Sequence, residues 1–212
     1  MYTTVTIDNQ FFNRYSKDFF AIYHEAFPEN ERQKDEVILQ RFQEDLYKLV
    51  CCFSETEEMV GFALTLDIGF DNCRFVEYFA VKDLFRQQGV GTEMINKMLN
   101  ICILKEKHLI LEVENPLFGD NQEIKRRRLD FYKRNGFSLI EEFNYILPPL
   151  NEKNPTEMLF MCSNVSRKRL TFNELINLTE ALYTKVYNRT KTDPYFKKIV
   201  DLNSNRKYYK VG

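Results

Sequence analysis

A β-rich run ending in Phe79-Ala80-Val81 leads into Arg86-Gln87-Gln88-Gly89-Val90-Gly91-Thr92, and helical periodicity follows. The chain has only 7 glycines in 212 residues, and this one turn holds Gly89 and Gly91. A helix start exposes N–H groups that have no intrahelical acceptor, and it carries a partial positive charge. Glycine lacks the Cβ that would keep an anion off the backbone. Arg86 adds a permanent charge on a planar fork. Together these can cradle a pyrophosphate. Spacing alone does not prove it, because a turn merely eased by glycine has the same residues. The dinucleotide-binding fingerprint would need a third glycine where Met94 stands, and a P-loop would need Gly-Lys-Ser/Thr.

Carboxylates form the second set. Glu77 lies on a strand face that otherwise reads Phe75, Phe79, Val81, so it is either partnered or functional. Glu112 and Glu114 share one face of a later strand, about 7 Å apart. Such a pair can hold a cation, and mutual repulsion can raise one of the two pKa values. It can equally mark the solvated end of the strand. His24 and His108 read as structural.

The elements that must position these residues follow from periodicity. Tyr2 to Ile7 alternates as a first strand. Phe11 to Phe27 repeats apolar residues at helical spacing, and a second helix is expected over 31–47 after the break at Pro28-Glu29-Asn30. Leu49–Phe53 and Met59–Ile68 read as a hairpin, followed by a turn at 69–72 and the strand Arg74–Val81. A long helix to about Glu106 puts Val90, Met94, Ile95, Met98, Leu99, Ile101 and Cys102 inward. His108–Val113 is a fifth strand. A helix over Ile124–Arg134 closes at Asn135-Gly136. Ser138–Ile146 and Glu157–Cys162 pair around the loop at 148–155. The order implies a mixed α/β fold with a central sheet flanked by helices. Beyond Ser163, residues 172–188 are helical and 191–212 show little order signal.

Hydrophobic residues make up 44% and charged residues 29% of the chain, a globular composition. No apolar run approaches the roughly 20 residues that span a bilayer. No signal peptide is expected from Met1 to Gln10. The five cysteines lack metal-site spacing and read as reduced thiols of a cytoplasmic protein, with no metal expected. The net charge of −1 conceals an asymmetry: 1–162 carries −8 and 163–212 carries +7. The expected organisation is therefore a domain over 1–162 with a basic helical extension over 163–212. The extension is expected to pack on the acidic body or to make a subunit contact, as in a homodimer. Its basic and aromatic residues form no nucleic-acid module.

Arg86-Gln87-Gln88-Gly89-Val90-Gly91, after a strand ending in Phe79-Ala80-Val81, resembles the acyl-CoA-binding signature of the GNAT (GCN5-related N-acetyltransferase) superfamily. Downstream, Phe131-Tyr132-Lys133-Arg134-Asn135-Gly136-Phe137 resembles that family's Y-x-x-x-G-F element. The likeness covers roughly 1–162. It implies an acetyl-CoA-dependent N-acetyltransferase, with an acetyl group passing directly to a primary amine of a small molecule or peptide. Backbone groups of Phe79 and Val81, flanking Ala80, would pair with pantetheine. Amides of Gln87, Gln88, Gly89, Val90, Gly91 and Thr92, with the Arg86 side chain, would hold the pyrophosphate. Tyr132 matches the tyrosine that protonates the leaving thiolate, a task suited to a phenol of pKa near 10. Where many members carry an asparagine, this chain has Lys125, in the run Lys125-Arg126-Arg127-Arg128. An amine must lose a proton to attack, which makes Glu77 a candidate base and Glu112 and Glu114 candidate acceptor ligands. Glu29, in the break between the first helices, joins them because that break lines the acceptor site in the family. The other reading is a GNAT-fold module that binds acyl-CoA without turnover and uses its basic tail on a partner.

Overall fold

The computed structural model describes residues 2–27, 29–69, 72–150, 154–163 and 169–212. Pro28 of the expected break, Phe70 and Asp71 of the expected turn, and 151–153 of the expected loop lie outside the described residues. The chain forms two compact units: 1–67 with 74–107, and 68–73 with 108–212. Mostly antiparallel strands flanked by helices make up both, the α/β class expected.

The first unit contains β1 (Thr3–Ile7), α1 (Phe12–Ala26), α2 (Asp35–Gln43), β2 (Tyr47–Phe53), β3 (Met59–Asp67), β4 (Cys73–Val81) and α3 (Val90–Leu104). The four strands pair antiparallel in chain order. Phe62 of β3 lies 4.4 Å, ring to ring, from Phe19 of α1. Its neighbour Gly61 faces Met94 of α3 instead. Successive strand residues point to opposite faces, so the two helices cover opposite sides of this sheet. Phe12 stacks on Phe42 at 3.7 Å and locks α1 to α2. Buried α3 residues are Val90, Met94, Ile95, Met98 and Cys102; Leu99 and Ile101, also expected inward, are only half-buried.

One element differs from expectation here. The second helix ends at Gln43 rather than running to Tyr47, because Asp45 adopts a left-handed φ of 53° and the chain turns into β2. Asp67 and Arg74 close the β3–β4 hairpin with two hydrogen bonds of 2.9 Å. Burial pushes the Asp67 carboxyl up, but hydrogen bonds from Arg74 and Lys107 outweigh it and hold it at about 2.

The second unit contains β5 (His108–Glu114), α4 (Gln122–Arg134), β6 (Phe137–Leu139), β7 (Tyr145–Leu147), β8 (Thr156–Ser163), β9 (Arg169–Thr171), α5 (Phe172–Lys185), α6 (Pro194–Asn203) and β10 (Tyr208–Lys210). One edge of β8 pairs with β5; the other is shared end to end by β6 and β7. The single strand expected over 138–146 is thus split. Glu142 takes a left-handed φ of 61° between the two pieces, and Ile140 bridges Val211.

The described part of the basic extension belongs to this unit. Thr171 caps α5 in a capping box with Glu174, satisfying end groups in both directions. Leu175, Leu178, Leu182 and Val186 are buried, matching the expected helical face. Residues 191–212 are more ordered than expected. Asp193 caps α6 by accepting from the Tyr195 and Phe196 amides, and Pro194 occupies the first helical turn. Buried Asn203 then exchanges hydrogen bonds with the backbone of Asn144 in both directions.

Gly61 is the tightest point under the strand that precedes the candidate cradle. A Cβ there would lie 2.8 Å from the Ala80 carbonyl oxygen and 3.1 Å from Met94 Sδ. The carbonyl belongs to backbone and cannot yield without moving β4. Gly61→Ala is expected to cost about 2 kcal/mol of stability, read as a lowered midpoint in urea denaturation; an unchanged midpoint would contradict this packing.

Candidate functional site

The candidate cradle lies wholly in the first unit. Phe79, Ala80 and Val81 pair with Ala63, Phe62 and Gly61 of β3. After one tight turn over Asp83–Phe85 the chain reaches Arg86, whose Nε donates to the Val81 carbonyl at 3.0 Å. Gln87 has φ 63° and Gly89 φ 86°. A Cβ at Gly89 would meet nothing within 4 Å, so glycine is required there by backbone conformation, and the space above it is open. Gly89 caps α3, and the first amide to bond back onto the cap is that of Glu93, at 3.0 Å. The amides of Val90, Gly91 and Thr92 therefore have no intrahelical acceptor. Two side chains at the start of the chain brace this turn. Tyr2 donates to Gln88 at 2.6 Å and Thr4 to Glu93 at 2.8 Å. Amide donors, a left-handed glycine under open space and a half-exposed guanidinium suit a pyrophosphate.

Glu77 sits at a bulge. Leu64 pairs with Tyr78 but the next β3 residue, Thr65, pairs with Val76, so Glu77 is the extra residue on β4. A bulge re-aims a side chain, and it interrupts the alternation read from the sequence. The Glu77 side chain is only 4% exposed. Arg41 Nη1 reaches its two oxygens at 3.0 and 3.1 Å, and the Tyr47 hydroxyl donates at 2.7 Å. Burial pushes the Glu77 carboxyl up; Arg41 and Tyr47 pull it back without cancelling the rise. Beside it, the Tyr78 hydroxyl accepts from the Gln33 amide at 2.9 Å, and Tyr23 donates to the Gln33 carbonyl at 3.1 Å. These two phenols fix the end of the segment that carries Glu29, which is exposed.

The other candidates lie in the second unit. Glu112 accepts from Tyr145 on one oxygen and from Tyr187 on the other, both at 2.6 Å. Glu114 pairs with Arg128 at 2.8 Å and with Lys125 at 3.4 Å. The two glutamates share a strand face as expected, each with its own donors. Part of the basic run is thereby accounted for: Lys125 and Arg128 face Glu114, and Arg127 pairs with Glu123 one turn earlier. Tyr132 is buried on α4, its ring edge-on to Phe137 at 5.6 Å. Burial pushes its phenol up to about 12, with Arg128 pulling the other way, so it holds its proton at neutral pH. Gly136, at φ 85°, lets α4 stop and Phe137 begin β6. Among the described residues no cluster of three or more His, Cys, Asp or Glu could hold a metal ion. No helix among them is long and apolar enough to cross a membrane.

Residues 10–137, more than half of the chain, match the model described as the acetyltransferase (GNAT) family. The chain belongs to the GNAT acetyltransferase family. A curated Bacillus subtilis (strain 168) protein, "Putative acetyltransferase YjbC", is 31% identical over 120 residues, covering 56% of this chain. This chain spans 57% of that relative's length. A GNAT-family structure from Bacteroides thetaiotaomicron matches with a TM-score of 0.69 at 24% identity, over 87% of this chain and 98% of that one. YncA from Salmonella typhimurium, solved with its cofactor acetyl-CoA, matches at 0.56 with 15% identity, over 79% and 95%. Both share the fold.

Sequence reasoning missed the partners of the GNAT candidate carboxylates. Arg41 had a signal: it falls between Ile38 and Phe42, on the buried face of α2. Tyr187 had none, since nothing in its spacing from Glu112 relates the two. Arg41 also yields a test. Arg41→Met leaves Glu77 buried without its cation, a change expected to cost about 3 kcal/mol. Protonation of Glu77 relieves that cost, so the loss should be larger at pH 8 than at pH 5 in denaturant titrations. Equal losses at both pH values would show that the pair is not what matters at this position.

Proposed function

We propose that this GNAT chain transfers an acetyl group from acetyl-CoA directly to a primary amine of a small molecule or peptide. The observation that carries this is the turn at the start of α3, with left-handed Gly89 under open space, first-turn amides and Arg86. Acetyl-CoA, the cofactor named for YncA, supplies an acyl group activated as a thioester. In this reading the amides of Gln87 through Thr92 and the Arg86 guanidinium bind its pyrophosphate. Backbone groups of Phe79 and Val81 align its pantetheine arm. Tyr132 keeps its proton at neutral pH and delivers it to the departing thiolate. Glu77, whose carboxyl is pushed up by burial, takes the amine proton directly or through water. Glu112, Glu114 and Glu29 bind a cationic acceptor, and the acidic character of 1–162 concentrates such amines nearby. The acyltransferase domain is 1–162, 163–212 is its extension, and the protein works in the cytoplasm.

Binding without turnover is the second reading, favoured by the fact that Glu77, Glu112 and Glu114 are each engaged by protein donors. Thiol release from acetyl-CoA over a panel of amines decides between the two. Release above the hydrolysis background with at least one amine supports transfer; binding with no release for every amine supports the second reading.

Gly89→Glu places a carboxylate and a strained φ where the pyrophosphate would sit. It is expected to abolish acetyl-CoA binding in calorimetry, and an unchanged affinity would refute the cradle. Tyr132→Phe is expected to lower kcat by about a hundredfold while the dissociation constant for acetyl-CoA stays within twofold. A variant with full turnover would remove Tyr132 from the chemistry.

A further inference from the structure

We propose that Tyr187, supplied by the basic extension, is a positioning residue for Glu112, so that the extension is part of the acceptor site for a cationic amine. This rests on the reading of Glu112 as an acceptor ligand. Glu112 stands on β5 opposite Phe160 of β8. Its carboxylate is gripped from two directions, with one phenol O–H on each oxygen at 2.6 Å. A carboxylate held at both oxygens cannot rotate without breaking a short hydrogen bond.

The two phenols are themselves fixed. Tyr145 is buried and stacks on Phe160 at 4.1 Å. Tyr187 lies two residues past the end of α5. Its amide is tied to the Leu182 carbonyl at 3.2 Å, and the Arg189 guanidinium reaches the Pro149 carbonyl at 2.8 Å. Tyr183, one helical turn earlier, gives a contrast. It is buried and gives its hydroxyl to the backbone carbonyl of Ile146 at 2.6 Å, an ordinary way to satisfy a core tyrosine. Tyr187 instead delivers its hydroxyl to the side chain of a half-buried glutamate that water could solvate. Donors on both oxygens hold the carboxylate in one orientation, which suits binding an ammonium. Glu112 is then the anchor for the acceptor amine.

The experiment compares full-length Tyr187→Phe, Tyr183→Phe and Glu112→Gln with the unaltered chain. The amine is whichever of spermidine, a lysyl peptide and an alanyl peptide gives most thiol release from acetyl-CoA. Tyr187→Phe is expected to raise the KM for that amine about fivefold or more, with kcat and the calorimetric affinity for acetyl-CoA within twofold. Tyr183→Phe should cost comparable thermal stability and leave KM unchanged. A KM rise for Glu112→Gln with none for Tyr187→Phe overturns the proposal and leaves Glu112 as an acceptor ligand. An unchanged KM for Glu112→Gln, or no turnover of any of the amines by the unaltered chain, overturns the reading of Glu112 and the proposal together.

Discussion

A carboxylate placed inside a sheet dictates much of what surrounds it. An unpaired ion at the position of Glu77 would cost several kcal/mol even after relaxation. The first unit meets that cost with residues from separate elements. α2 must turn Arg41 inward, which makes Arg41 one of the few charged residues among the buried ones. β2 must open with Tyr47, whose hydroxyl bonds both Arg41 and Glu77. β4 must carry an extra residue so that Glu77 points at them. The early end of α2 is part of the same arrangement, since a helix continuing to Tyr47 would take that phenol out of β2.

Tyrosine hydroxyls serve as long-range brackets throughout the chain, which has 12 tyrosines and no tryptophan. Several bury a ring and carry a polar tip to a backbone or side-chain group elsewhere in the chain. Tyr23 and Tyr78 meet at Gln33, Tyr183 reaches Ile146, and Tyr209 donates to the carbonyl of Asn203. Burial raises the pKa of these phenols and keeps them protonated as donors. The aromatic richness of the composition is therefore also a supply of hydrogen bonds.

Elements with one dominant period were legible. Buried positions of α3 and α5 follow from apolar spacing, and the cradle follows from finding two of few glycines at one helix start. Tyr132, Gly136 and Phe137 could be placed because a helix stop and a strand start share one short motif. Features decided by a single backbone angle were not legible. Asp45 and Glu142 take left-handed φ values that their types permit but do not require, and these cut a helix and a strand short. The bulge at Glu77 leaves no mark in an alternating pattern. Pairings over long separations, such as Glu112 with Tyr187, arise from topology and have no local trace. The helix opening at Pro194 was legible yet missed: an Asp-Pro start precedes Phe196 and Ile199 at helical spacing, and both are buried.

The pairing of Leu139 with Gly212, each amide donating to the other's carbonyl at about 3 Å, bears on the order of folding. Contacts of the first unit close within residues 1–107, and most join neighbouring strands. The second unit brings residues 207–212 back to 139–141 and 172, a much longer closure. On a ribosome the early unit can complete its sheet while the later one still exposes the edges of β6 and β9. Those edges have the backbone groups that recruit other strands, so the interval before residue 212 emerges is when this chain is most open to misassembly.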